Sequence, residues 1–181
     1  MSAVEAEPVG TSRLILLPLR PEHAEEMAGV LADPALHAFI GGAPLSPPEL
    51  RARYERLVAG SPDPAVSWCN WVIRVRDPGC LAGTVQATIA GASEPTAEVA
   101  WVVGTPWQGR GIATEAARAL VAWLGRRHVQ AVIAHIHPGH VPSAAAAAAA
   151  GLCPTDQWQD GERRWELVLP PQEQEGSPSY E

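Results

Sequence analysis

The chain has 181 residues, of which 46% are hydrophobic and 18% charged, and its formal net charge is −7 at pH 7. These values are typical of one soluble globular domain, and no apolar run is long enough to span a bilayer. The net negative charge disfavours a nucleic-acid partner and favours a cationic one, and three widely spaced cysteines indicate neither a disulfide framework nor a zinc site.

The first half of the chain predicts one strand, two helices and an antiparallel pair of strands. Residues 11–19 form an apolar run of β type, and Pro21 then opens a helix whose apolar positions recur at helical spacing. A second amphipathic helix follows the turn-rich residues 41–44. Residues 68–76 and 81–90 flank an Asp-Pro-Gly turn, so they are predicted to be antiparallel strands.

The second half predicts a strand and a glycine loop, followed by alternating helices and strands. The predicted elements are a strand over 98–103, a helix from about Gly111 to Arg127, a strand over 131–137, a helix over 142–150, and strands over 152–158 and 162–169. The last two strands are joined by Asp160-Gly161, a strong hairpin signal. With the first half, this gives the order β-α-α-β-β-β-α-β-α-β-β.

The two ends of the chain, residues 1–10 and 171–181, are predicted to be flexible. The second of these is polar and acidic without periodicity. The first lacks the basic and apolar regions of an export signal, so we expect a cytoplasmic protein. All 13 positive residues are arginine, which with abundant alanine, glycine and proline indicates a GC-rich genome and, we expect, a bacterial source.

The loop between residues 103 and 112 is predicted to bind an anion. Gly109 and Gly111 let the backbone approach a ligand closely, and the helix that starts there offers four unpaired N–H groups and the positive end of its dipole. Phosphate is the natural ligand. The loop lacks the lysine of a nucleotide P-loop and the three-glycine spacing of a dinucleotide site, so ATP and NAD are disfavoured. An ordinary strand-to-helix turn is the alternative.

Gln108, Gly111 and Ala113 match the Gln/Arg-x-x-Gly-x-Gly/Ala signature of the GNAT acyltransferases, in which loop amides hold the pyrophosphate of acetyl-CoA. The flanking strand and helix, and the order of elements over residues 11–169, also resemble this superfamily. The segments Thr-Ser-Arg-Leu at 11–14 and Pro-Glu-His-Ala at 21–24 resemble its RimJ/RimL-type branch, although Leu17 replaces the usual arginine.

The resemblance implies an α/β fold with a mixed, mostly antiparallel sheet of six to seven strands, flanked by about four helices and with splayed central strands. One acyltransferase domain is expected over residues 11–170, as a monomer or homodimer. Its co-substrate would be acetyl-CoA or another acyl-CoA, with no metal. The residues implied to bind it are Trp101, Val102, Val103, Gln108, Gly109, Arg110, Gly111, Ile112, Ala113, Thr114, His140 and Ser143.

The implied reaction is direct attack of a primary amine on the thioester, and the net acidity of the chain favours a cationic acceptor. A protein N-terminus, a polyamine and an aminoglycoside are candidates, and the resemblance places the acceptor pocket at residues 33–66 and 156–164. No nucleic-acid or membrane partner is expected. The alternatives are an acyl-CoA sensor that keeps the fold without turnover, and a scaffold that does not bind CoA.

Glu98 is the candidate general base, because several members of the superfamily have an acidic residue at this place, where it acts directly or through water. A carboxylate there can accept the proton of the attacking ammonium. The alternative is a solvated glutamate at the edge of a strand. The superfamily also implies that a main-chain N–H near Val103 stabilises the oxyanion, while Trp101 and Trp107 serve as wall and packing residues.

Ser143 matches the serine of the second superfamily motif, Asn-x-x-Ala/Ser, and is the candidate acid for the leaving thiolate. It can equally be a helix cap. The asparagine of that motif, which normally contacts pantetheine, is replaced by His140, and the tyrosine that many members use as general acid is replaced by Ala147. These two departures keep the sensor alternative open.

Three histidines, His135, His137 and His140, lie close together in the sequence. Strand alternation places His135 and His137 on one face, within reach of a shared ion, yet no carboxylate is predicted to accompany them. A metal site, a second base or substrate contact, and ordinary buried or rim histidines are the three interpretations. We expect no bound metal.

Overall fold

One eight-stranded sheet organises residues 3–171, the part of the chain that the computed structural model describes. The spatial order is β1-β2-β3-β4-β5-β6-β8-β7, and every neighbouring pair is antiparallel except β5 and β6. The strands are β1 Val9–Gly10, β2 Leu14–Pro18, β3 Val66–Val75, β4 Leu81–Ala90, β5 Thr96–Val103, β6 Ala131–Ile136, β7 Cys153–Gln159 and β8 Glu162–Val168. The predicted mixed, mostly antiparallel sheet is confirmed, with the two-residue β1 as an additional strand.

In the described part of the chain, five α-helices flank the sheet. They are α1 Ala24–Val30, α2 His37–Ile40, α3 Pro47–Val58, α4 Ile112–Gly125 and α5 Val141–Ala149. The start of α3 is fixed by a capping box, in which the Ser46 hydroxyl accepts from the Glu49 N–H while the Glu49 carboxylate accepts from the Ser46 N–H. The four-residue α2 was not predicted. Within residues 3–171, none of the helices has the length and hydrophobicity that crossing a bilayer requires.

The sheet buries a core on each face because its strands alternate. On the α4 face, Trp71 of β3 meets Trp123 of α4 edge to face with ring centroids 4.9 Å apart. On the other face, Val72 packs with Leu50 and Tyr54 of α3. Since the odd-numbered residues of β5 belong to the α4 core, its even-numbered residues project toward α1 and α3.

The parallel pair β5 and β6 separates partway along. Thr96, Ala97 and Glu98 pair with 131–133. Beyond Glu98, β5 continues to Val103 and stays paired with β4, but it is no longer paired with β6. The predicted splay is therefore present, and it begins at Glu98.

The first residues of the described chain are bound to the sheet. Val9 and Gly10 pair with β2, the Val4 N–H donates to the Ser67 hydroxyl at 3.0 Å, and the Trp71 indole N–H donates to the Glu7 carbonyl at 2.8 Å. The sequence predicted a flexible segment over residues 1–10. Residues 4–10 are instead held against the sheet, because the edge of β2 and the buried Trp71 offer them hydrogen-bond partners. Residues 172–181 of the other predicted flexible end lie outside the described residues.

Glu115, in the first turn of α4, holds the segment before β2. Its carboxylate accepts from the Thr11 hydroxyl at 2.6 Å, from the Arg13 N–H at 3.0 Å and from Arg13 Nε at 2.7 Å. Burial acts to raise the pKa of Glu115, but these hydrogen bonds outweigh it and hold the pKa below its ordinary value. Arg13 also donates to the Arg110 carbonyl at 2.8 Å, so the contact reaches the glycine loop.

The substitution Glu115→Gln is expected to lower the free energy of unfolding at pH 7 by about 2 kcal/mol, because it weakens several charge-assisted hydrogen bonds. A carboxyl group whose pKa is lower in the folded than in the unfolded state stabilises the fold at pH values above its unfolded-state pKa, which is about 4.3 for glutamate. This stabilisation is lost as the pH falls through the folded-state pKa. The gap between variant and wild type, measured by urea unfolding, should therefore narrow below about pH 4. The control Glu55→Gln removes only an exposed pair with Arg51 and should cost less than about 0.5 kcal/mol. Equal losses at pH 7 for the two variants would contradict this role.

Candidate functional site

A cavity of about 640 Å³ lies between α1, α2 and α3 and the face of the sheet opposite α4, and it extends across the splay to β6 and the start of α5. The sheet supplies a polar floor, because alternate residues of three neighbouring strands share this face. The floor consists of Asn70, Thr84, Gln86, Thr88 and Glu98. Helices and the late hairpin supply the remaining wall, including residues within 37–57 and Glu162. These wall residues lie in the two ranges expected for an acceptor pocket, 33–66 and 156–164. The residues that α1 and strands β3 to β5 contribute to the wall lie outside these ranges.

Glu98 and His135 form a hydrogen-bonded pair across the separating strands. The Glu98 carboxylate lies 2.8 Å from Nδ1 of His135, and Glu98 is 57% exposed whereas His135 is 13% exposed. An ionised carboxylate only accepts hydrogen bonds, so Nδ1 carries the proton that is shared with it. The parallel register explains the contact, since Glu98 is level with Ile133 and His135 is the next residue on the same face.

This pair corrects the expectation that no carboxylate accompanies the histidines. Pairing with a neighbouring strand is a tertiary contact, and the spacing within β6 alone does not reveal it. Among residues 3–171, no three or more histidine, cysteine or acidic side chains are grouped so that they can hold a metal ion. Glu98 is an accessible carboxylate inside the cavity, which is the position that a proton acceptor for an incoming amine requires.

The glycine loop follows the end of β5. Gly109 and Gly111 have φ angles of 73° and 75°, and Gly111 is the N-cap residue of α4. At Gly109, an added Cβ would meet nothing within 4 Å, so the loop surface is open at that point. The first N–H groups of α4, at Ile112, Ala113 and Thr114, have no acceptor within the helix, so the loop offers a set of donors at the positive end of a helix dipole.

The loop is braced by its neighbours. The side-chain amide of Gln108 donates to the Val103 carbonyl at 3.0 Å, and the main-chain N–H of Gln108 donates to the Thr105 carbonyl at 3.3 Å. The Arg110 guanidinium lies 5.2 Å from the centre of the Trp107 ring. Gln108 therefore fastens the loop to β5, which is a structural contribution that the signature alone did not indicate.

The start of α5 brings His140 and Ser143 to the cavity. His140 is the N-cap residue and Ser143 is the third residue of the helix, so the alternative in which Ser143 caps the helix is wrong. Ser143 is 9% exposed and lines the cavity. One turn later, Ala147 is completely buried in the α4-side core, so no hydroxyl stands at the position of the superfamily tyrosine.

Phe39 of α2 closes over the histidines of the β6–α5 connection. Its ring stacks on His140 with centroids 4.3 Å apart and meets His137 edge to face at 5.6 Å. Burial, and then the neighbouring His137, lower the pKa of His140. The sequence did not reveal this contact, since a four-residue helix is too short to produce a periodic apolar pattern.

Two residues of the cavity wall carry buried polar atoms that have no hydrogen-bond partner within residues 3–171. They are the Tyr54 hydroxyl and the Trp101 indole N–H. Burial raises the pKa of Tyr54 to about 12, so its hydroxyl stays protonated. An unpaired buried polar group costs about 1–3 kcal/mol, and this makes a bound ligand that supplies partners favourable.

Comparison with known proteins agrees with this geometry. The family model described as an acetyltransferase (GNAT) domain matches residues 13–152. Sequence comparison with curated proteins gives no significant match.

Three solved structures that resemble the chain share its fold. RimJ from Mycobacterium smegmatis in complex with a CoA-disulfide is 17% identical, with a TM-score of 0.74 over 90% of this chain and 87% of that one. The Salmonella typhimurium acetyltransferase that modifies the N-terminal serine of ribosomal protein L7/L12 is 14% identical, with a TM-score of 0.73 over 91% and 100%. The microcin C7 self-immunity acetyltransferase MccE in complex with acetyl-CoA and AMP is 17% identical, with a TM-score of 0.72 over 88% and 94%.

Proposed function

Because the chain belongs to the GNAT acetyltransferase family, we propose that it transfers the acetyl group of acetyl-CoA to a primary amine in the cavity that contains Glu98. One observation carries the proposal. β5 leaves β6 at Glu98 and leads through the glycine loop into α4, so a carboxylate, a strand edge that is not paired with β6 and a set of N–H donors follow one another along residues 98–114. We propose that residues 11–170 form this one acyltransferase domain.

The residues present fit acetyl-CoA. We propose that the separated edge of β5 at Trp101, Val102 and Val103 binds the pantetheine arm through its main chain, which is not paired with β6 there. The backbone from Gly109 to Thr114, which is open at Gly109 and has the Arg13 guanidinium beside Gly111, is the part that we propose binds the pyrophosphate. His140 and Ser143 lie on the opposite wall.

We propose a course for each proton in the transfer. The ammonium gives one proton to the Glu98 carboxylate, and the amine nitrogen attacks the thioester carbonyl carbon. A main-chain N–H near Val103 is the candidate donor to the oxyanion that develops on the carbonyl oxygen. The nitrogen then loses its second proton to the solvent and the carbon–sulfur bond breaks. The thiolate takes a proton, for which Ser143 is the candidate donor, and Ser143 regains its proton from the solvent.

The Salmonella neighbour acts on a protein N-terminus. A protein N-terminus and a small cationic amine are the two acceptors that we propose for this chain.

The proposal is tested by acetyl-CoA binding and by release of free CoA thiol with a panel of primary amines. Binding together with amine-dependent thiol release is the expected result. Binding without thiol release for any amine would point to a non-catalytic acyl-CoA sensor, and the absence of binding would indicate a scaffold that has lost the ligand. Either result would overturn the proposed activity.

We propose that His135 acts as a positioning residue for Glu98. Replacing it by leucine should lower kcat about 10- to 100-fold, which corresponds to one hydrogen bond to a charged group, and should leave the affinity for acetyl-CoA unchanged. The amide nitrogen of an asparagine can occupy the place of Nδ1, so His135→Asn should recover most of the lost rate. If His135 is itself the proton acceptor, His135→Asn will not restore the rate. Comparing kcat of the leucine and asparagine variants therefore decides between these two roles.

A further inference from the structure

The cavity wall is not acidic, although the chain carries a net charge of −7. Among the described residues, its only carboxylates are Glu98 and Glu162, and Glu98 is already paired with His135. The same wall contains the Arg53 guanidinium and four imidazoles, those of His37, His135, His137 and His140. The acidic residues that give the chain its charge therefore lie mostly elsewhere.

The end of the cavity below α1 and α3 is apolar. Five leucines and one alanine line it: Leu19, Ala28, Leu31, Leu45, Leu50 and Leu57. We call these six residues the leucine lobe. Leu31, Leu45 and Leu57 remain partly exposed. Binding of an apolar group that covers them is favourable, because it removes these leucine side chains from water. The floor between the lobe and Glu98 is polar but uncharged, with Asn70 and Gln86.

Resting on the proposed function, we infer that the acceptor is a primary amine on an apolar body that carries no second positive charge. Its ammonium lies at Glu98 and its body lies in the leucine lobe. A polyamine or an aminoglycoside whose body fills the lobe would place a further ammonium among leucines or beside Arg53. The second carboxylate of the wall, Glu162, belongs to β8 on the far side of β6, so it does not compensate there for the loss of water. The net charge suggested only a cationic acceptor, and the cavity wall restricts that acceptor to a monoamine.

The test compares two series of amines at equal acetyl-CoA: the alkylamines ethylamine, butylamine and hexylamine, and the matched diamines 1,4-diaminobutane and 1,6-diaminohexane. Each methylene that enters the lobe should raise kcat/KM about fourfold, so hexylamine, with two more methylenes, should exceed butylamine by about sixteenfold. Hexylamine should exceed 1,6-diaminohexane by at least about tenfold, because the second ammonium must be desolvated. Intact full-length protein is used throughout, and release of CoA thiol is the measurement.

A variant locates the effect in the lobe. Ala28→Phe fills the lobe from α1, so the ratio of hexylamine to ethylamine kcat/KM should fall toward one. The control is Ala52→Phe, an exposed residue of α3 that does not line the cavity, and it should keep the wild-type ratio. A thermal melt shows whether the variants are folded, and the wild-type series stands as a test without them.

The outcomes separate the two proposals. Turnover of several amines without preference for length, or with preference for the diamines, overturns the inference and leaves the acetyltransferase proposal standing. Turnover only of a peptide with a free N-terminus, and of none of these amines, also overturns the inference and leaves the acetyltransferase proposal standing. No turnover with any of these amines or with such a peptide counts against the acetyltransferase proposal itself, on which this inference depends.

Discussion

Glu98→Gln is expected to lower kcat by about 100- to 10,000-fold, the range that general base catalysis contributes. The amide is nearly isosteric with the carboxylate and can still face Nδ1 of His135, but it cannot accept the proton of the attacking amine. Acetyl-CoA affinity should be unchanged, because the proposed phosphate contacts lie beyond the other end of β5. Steady-state kinetics with acetyl-CoA and the best amine of the panel measures the effect.

The matched control is Glu94→Gln, which removes an exposed carboxylate from the turn that precedes β5. It should retain wild-type kcat, since the turn lies outside the cavity wall. If Glu98→Gln keeps wild-type turnover under conditions where the chemical step limits the rate, Glu98 is not the general base and its contact with His135 is structural.

Ala113→Asp is expected to weaken acetyl-CoA binding about 100- to 1,000-fold. The new carboxylate would stand in the first turn of α4, beside the proposed pyrophosphate, and two like charges 4 Å apart near a protein surface repel by about 4 kcal/mol. An aspartate at this position also interacts favourably with the helix dipole, so the fold should be preserved. The dissociation constant, measured by calorimetry at low ionic strength, should fall toward the wild-type value as salt screens the repulsion.

Ala113→Asn separates charge from size. It has nearly the volume of aspartate without the charge, so most of the affinity should remain. If Ala113→Asp binds acetyl-CoA as tightly as the wild type does, the phosphates lie elsewhere. That result would contradict the binding proposal as a whole.

Local chemistry explains what the sequence predicted correctly. The strand that ends in Gly109 and Gly111, the helix that follows, and the hairpin at Asp160-Gly161 each follow from rules that operate within a few residues: positive φ, helix capping and turn geometry. The alternation of β5 likewise separates Glu98 from the buried Val99. The positions of Glu98 and Ser143 on the cavity wall were reached through the superfamily resemblance.

Contacts between distant segments explain what the sequence did not predict. The Glu98–His135 pair depends on the register of two parallel strands that are joined by a whole helix, and no local pattern specifies that register. The stacking of Phe39 on His140 depends on a helix of only four residues. Residues 4–10 lie against the sheet because Trp71 and β2 offer partners to a segment that, taken alone, has neither periodicity nor a core.

In the proposed reaction, an acetyl group passes from CoA to an amine in the cavity that contains Glu98. The most direct measurement is the amount of N-acetylated amine and of free CoA thiol formed in one reaction mixture, by mass spectrometry and thiol titration. We expect equal amounts of the two products, formed at the same rate and reduced together in Glu98→Gln. Thiol release without N-acetylated amine, or N-acetylated amine formed at full rate by Glu98→Gln, would contradict it.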